Sequence, residues 1–170
     1  MVKVKEGQTS GANLLRSRKS VGEILEVAMQ FELTAYNFYH QLIPKVSKRI
    51  RYLVEEMAAE EQEHVRLLSE LMAKAEIEQQ LKEMVQTPPS DHRFSDAIHS
   101  LDLGEKPDDQ AILQYALARE QAAMEQYSTL ASEVEEGPIQ DLFTYLSQQE
   151  TEHKLELEKI YYETVHRGGV

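Results

Sequence analysis

The chain has 170 residues, 41% of them hydrophobic and 28% charged, with a formal net charge of −12. That is enough for one domain with a sizeable core, and the sign of the charge argues against a nucleic-acid partner. There is no cysteine, which excludes disulfides, thiolate metal sites and a cysteine nucleophile.

The N-terminal stretch carries a different charge from the rest. Residues 1–19 hold Lys3, Lys5, Arg16, Arg18 and Lys19 against Glu6, a net of +4, so the remainder stands at −16. An acidic body draws in cations. Residues 1–19 are expected to be a mobile basic arm, and residues 20–170 the folded domain. The opening MVKVKEGQTSGANLL lacks the continuous apolar run of a signal peptide. No apolar stretch is long enough for a membrane span, so a cytoplasmic location with no membrane partner is expected.

Ser20-Val21-Gly22-Glu23 has the form of a capping box. Behind it Ile24, Ala28, Glu32, Ala35, Tyr39 and Leu42 fall on one helical stripe, and Pro44 marks the exit. This predicts a first helix over about 21–43. Ser47 is a candidate cap for the second, whose stripe is Ile50, Leu53, Met57, Glu61, His64, Leu68 and Leu71. That helix is expected to reach about 85 with a bend. Residues 86–107 break the pattern with paired prolines, Gly104 and Pro107, leaving room for a helical turn near 93–101. Asp108 or Asp109 caps a third helix, about 109–135, with stripe Leu113, Ala116, Glu120, Ala123, Tyr127 and Leu130. Gly137 ends it, and Pro138 suits the first position of a fourth. The fourth stripe is Leu142, Leu146, Glu150, His153, Leu157 and Ile160, with Gly168 and Gly169 as the stop.

The two halves repeat. AMQFELTAYNFYHQL (28–42) aligns with ALAREQAAMEQYSTL (116–130), and MAAEEQEHVRLL (57–68) with LSQQETEHKLEL (146–157). Two related antiparallel helix pairs make an all-α four-helix bundle. A connection of about 22 residues can span its length as a long crossover.

Three Glu-x-x-His pairs occur: Glu61/His64, Glu150/His153 and Glu163/His166. The third lies off the stripe and is read as chance. The first two lie on apolar stripes, where residues three apart share a face. Glu32 and Glu120 join them from the other two helices. Counted from the turns, the levels agree to within about one helical turn, roughly 5 Å. Four carboxylates in a low-dielectric core cannot all stay ionised alone. Two divalent cations would balance them, and sulfur-free O/N ligands suit iron or manganese, with zinc a substitute. The plainer alternative is a metal-free bundle whose buried glutamates are protonated or reached by water.

The pattern resembles the ferritin-like di-iron carboxylate superfamily, and within it the rubrerythrin-like proteins. The resemblance covers about 21–166 and rests on Glu32 with Ala35 and Tyr39, Glu61 with His64, Glu120 with Ala123 and Tyr127, and Glu150 with His153. It implies a ferritin-like four-helix bundle with two iron ions per chain. Glu32 and His64 would serve mainly one metal, Glu120 and His153 the other, with Glu61 and Glu150 bridging. It implies a di-iron oxidoreductase reducing peroxide or dioxygen, a peroxidase or ferroxidase. Ferritin-type iron storage or handling without turnover is the alternative.

Two departures from the pattern stand out. Without cysteine the chain cannot carry a rubredoxin-type iron centre, so an external electron donor is expected. Ala123 stands where rubrerythrins place a further glutamate, which leaves a symmetric ligand set like that of bacterioferritin. Little chain remains for the fifth helix of a cage, so a homodimer is the expected assembly.

Tyr36, Tyr39 and Tyr127 lie one or two turns from the glutamates. There a hydroxyl can bond a carboxylate or pass an electron, although core packing is the commoner role. Glu60, Glu63 and Glu152 flank the ligands and are expected to point away, as a solvated or cation-attracting rim. His40, His92, His99 and His166 are expected at the surface.

Overall fold

A computed structural model of the chain describes residues 18–86 and 104–167. A short strand β1 (Arg18–Ser20) leads into helix α1 (Val21–Leu42), and helix α2 (Arg51–Met72) follows a turn. After a 3-10 turn at Ala75–Ile77 come a single helical turn α3 (Glu78–Leu81) and strand β2 (Met84–Gln86). Helices α4 (Asp109–Glu133) and α5 (Pro138–Arg167) complete the set. The expected helix near 93–101, with His92 and His99, lies outside the described residues. No helix among the described residues is long and apolar enough to cross a membrane.

α1 packs on α2, α4 on α5, and α2 also meets α5. The described residues that flank positions 87–103 lie at opposite ends of the bundle. Ser47 Oγ, beyond the end of α1, donates to Asp109 Oδ2 at the start of α4 (2.7 Å), and Arg49 reaches the Glu163 carbonyl near the end of α5 (3.2 Å). The C-terminal end of α1 and the N-terminal ends of α2 and α4 therefore lie together, and the chain must travel back from Met72 to Asp109. This is the single-crossover, ferritin-like four-helix arrangement.

The ends of the elements follow expectation in some places and depart from it in others. Ser20 does form the capping box: its hydroxyl accepts from the Glu23 N–H (3.1 Å) while Glu23 Oε2 accepts from the Ser20 N–H (2.8 Å). Ser47, however, caps nothing, because α2 starts at Arg51 with no side-chain cap and Ser47 spends its hydroxyl on Asp109. Asp108 sits at the N-cap of α4 but makes no side-chain cap bond.

The second helix does not run to 85. Its apolar stripe ends at Leu71, and the chain turns at Ala73 so that Ile77 can bury itself beside Val21 and Leu25. The Leu81 carbonyl would lie 3.2 Å from a Cβ at position 22, so Gly22 permits this close approach. The chain then returns as β2, which pairs antiparallel with β1 in the register Arg18 to Gln86. Arg18 and Lys19 thus belong to a strand, whereas the sequence placed them in a mobile arm.

The apolar core is divided. One cluster gathers Leu25, Phe31, Leu68, Tyr127, Phe143 and Leu146 at the end where α1 begins. The other gathers Tyr39, Leu53, Met57, Leu113, Ala116 and Leu157 at the opposite end. Between them lies a layer of charge.

Candidate metal centre

Each of the four long helices contributes to that layer. α1 supplies Glu32, α4 supplies Glu120, α2 supplies Glu61 with His64, and α5 supplies Glu150 with His153. All six side chains are buried, His153 being the most exposed at 4%. The helical spacing of three places each histidine on the face of its glutamate.

Their donor atoms converge in two overlapping groups. Glu32, Glu61, His64 and Glu150 form one; Glu61, Glu120, Glu150 and His153 form the other. In each, one ligand atom per residue lies within 4.8 Å of the rest. Glu61 and Glu150 belong to both. His64 Nδ1 lies 3.1 Å from Glu150, 3.4 Å from Glu61 and 3.7 Å from Glu32. His153 Nδ1 lies 3.4 Å from Glu150 and 3.6 Å from Glu120. The two imidazoles stack, with ring centroids 5.6 Å apart.

The electrostatics are those of a site short of positive charge. Burial pushes the Glu61 carboxyl well above the usual range, and Glu150, Glu120 and Glu32 push the same way. Burial and then Glu120 raise Glu150. Burial would raise Glu120 too, but hydrogen bonding with Glu150, His153 and Tyr39 outweighs it and holds Glu120 low. Burial favours neutral imidazoles, yet the surrounding carboxylates hold both histidines protonated far above their ordinary range. Even so, Glu32 Oε2, Glu61 Oε2, both Glu150 oxygens and the Nδ1 atoms of both histidines lack a well-formed hydrogen bond. Buried polar atoms left in this way are costly. Orphaned oxygens and imidazole nitrogens facing a common centre fit divalent cations of the iron or manganese type.

Two tyrosines tie the halves together crosswise. Tyr39 of α1 donates to Glu120 Oε1 of α4 (3.0 Å), and Tyr127 of α4 donates to Glu32 of α1. Burial, followed by the neighbouring glutamates, keeps both phenols protonated well above their ordinary range. Tyr36 is not part of this layer; it is half-buried and stacks on the exposed His40. His166 is exposed and stacks on Tyr162, away from the layer.

A model of the rubrerythrin family matches residues 23–161. The chain belongs to the rubrerythrin family. The family implies a ferritin-like di-iron protein, and the structure holds two buried carboxylate–histidine groups that could bind metal. No curated protein and no solved structure gives a significant match.

Two buried or inward-reaching residues beside this layer escaped the sequence reading. Glu60 was expected to point away, yet its Oε2 lies 2.6 Å from His153 Nε2. The contact is close without being aligned as a hydrogen bond. Position 60 follows Met57 by three, and this leaning toward the α5 side was the available signal. Arg119 is buried at 2%; it donates to the Phe31 carbonyl (3.3 Å), and its guanidinium lies 4.8 Å from the Phe31 ring centre. Positions 31 and 119 are equivalent in the repeat, so the two residues meet where the halves face each other. The remaining flanking acids do stay outside. Glu63 is exposed and paired with Arg66, which lowers its carboxyl, and Glu152 accepts from Gln149 at 3.4 Å.

Proposed function

We propose that this chain is a di-iron oxidoreductase that reduces peroxide or dioxygen. The observation carrying the reading is the pair of four-residue groups that share Glu61 and Glu150 inside the buried core. Glu32 and His64 would hold one ion, Glu120 and His153 the other, and Glu61 with Glu150 would bridge. When held by these residues, a ferrous pair would supply two electrons, which with two protons from solvent is what reduction of peroxide to two waters requires. The protein's part is placement. Tyr39 and Tyr127 each keep a proton on the phenol oxygen and hold one oxygen of Glu120 and of Glu32, which orients the carboxylates. The apolar clusters on either side keep bulk water from the layer. The chain has no cysteine, so electrons for turnover would reach the site from an external donor.

The test is anaerobic loading with Fe(II), followed by rapid mixing with hydrogen peroxide or with oxygenated buffer and optical detection of Fe(III). The reading expects stoichiometric oxidation, repeated when a reductant is supplied. Accumulation of many irons per chain without turnover would favour storage. Loaded protein inert to both oxidants would overturn the proposal.

A further inference from the structure

The six ligands are symmetric under the internal repeat, but their surroundings are not. Glu60 and Gln149 occupy equivalent positions, each one residue before a bridging glutamate. Glu60, whose side chain is 37% exposed, sets Oε2 2.6 Å from His153 Nε2, on the ring edge away from the ligand cluster. His153 meets the cluster with Nδ1. His64 likewise meets the cluster with Nδ1, but among the described residues its ion-pair contacts are with Glu32, Glu61 and Glu150 alone. At the equivalent position Gln149 is a neutral amide, and it turns to Glu152.

We propose that Glu60 is a positioning residue that makes the two metal positions unequal, so that the position held by Glu120 and His153 takes the first and tighter divalent cation. The inference rests on the metal-site reading above. A carboxylate 2.6 Å from the outer nitrogen holds the imidazole with its Nδ1 edge toward the ion. It also places one more negative charge near that ion than near the other. An amide supplies neither effect at the His64 position. Loss of such an outer partner typically weakens binding about 10–100-fold.

The test uses the full metal-free chain, titrated anaerobically with Co(II) alone and followed by calorimetry and visible absorption. The wild type should take up Co(II) in two resolved steps. Glu60→Gln should weaken the tight step about 10–100-fold and leave the second in place. Gln149→Glu should tighten the second. Glu60→Asp should retain part of the separation, and the helical circular dichroism and melting temperature of each metal-free variant should match the wild type. Two indistinguishable steps in the wild type, or affinities untouched by Glu60→Gln, would overturn this inference and leave the metal site standing. No Co(II) uptake at all would remove both.

Discussion

Replacing Glu61 with leucine should make the metal-free protein more stable and the metal-loaded protein less so. Glu61 is 1% exposed, its Oε2 has no hydrogen bond, and its carboxyl is forced toward the protonated form. A buried polar group without a partner costs about 1–3 kcal/mol. Leucine of similar volume removes that term and joins the apolar clusters on either side, while His64 keeps Glu32 and Glu150 as partners. A gain of about 1–3 kcal/mol in a domain of this size corresponds to roughly 2–12 °C in melting temperature. Metal acts in the opposite direction. At a free concentration about 100 times Kd, binding adds about 2.7 kcal/mol to the wild type. Glu61 belongs to both ligand groups, so Glu61→Leu should lose most of that gain. The assay is differential scanning calorimetry with chelator and with excess Fe(II) under argon. A variant less stable than the wild type in chelator, together with an undiminished rise on adding Fe(II), would refute the reasoning.

Other outcomes follow from the same contacts. Tyr127→Phe and Tyr39→Phe each strip the donor from a buried glutamate oxygen and should cost about 1–3 kcal/mol by urea denaturation, whereas Tyr36→Phe, away from the layer, should change stability by under about 0.5 kcal/mol. The pH dependence of the metal-free protein has a definite sign. His64 and His153 are raised above 6.5, and Glu61 and Glu150 above 4.5, so the folded state binds more protons than the unfolded chain. Their contribution is complete below those unfolded values and is lost as pH rises through the folded ones. The melting temperature in chelator should therefore fall from pH 6.5 toward pH 9 as the histidine share is lost. A rising curve would contradict the protonation pattern. Finally, Ile77→Ala should cost about 2–5 kcal/mol, because that side chain locks the turn after α2 into the core, while Glu76→Ala should be near neutral.

The convergence of the six buried side chains was legible because it depends on period and repetition. Stripe positions three and four apart survive any reasonable packing, and the repeat of Glu32 in Glu120 and of Glu61/His64 in Glu150/His153 fixed the levels before any contact was known. Pro138 and the Ser20 capping box were equally local. Legibility failed where a side chain had a choice of partner in space. Ser47 reads as a cap but bonds Asp109, sixty-two residues on. Glu60 lies at the edge of the stripe, three residues after Met57, and only the packing of α2 on α5 shows that its side chain reaches His153. Residues 73–85 keep helix-favouring composition, but nothing local reveals that Ile77 must turn inward or that the chain must return to pair with β1. No local pattern marks Arg119 for burial; its partner, the Phe31 carbonyl, comes from the other half of the chain.

The central claim is that six buried side chains hold two metal ions. The most direct measurement is iron per chain by mass spectrometry after anaerobic Fe(II) loading and desalting, for the wild type, Glu61→Ala and His153→Ala. The account predicts about two irons per wild-type chain, as a paired carboxylate–histidine site requires, and a clear loss in both variants. Iron-free wild-type protein, or variants that retain both irons, would contradict it.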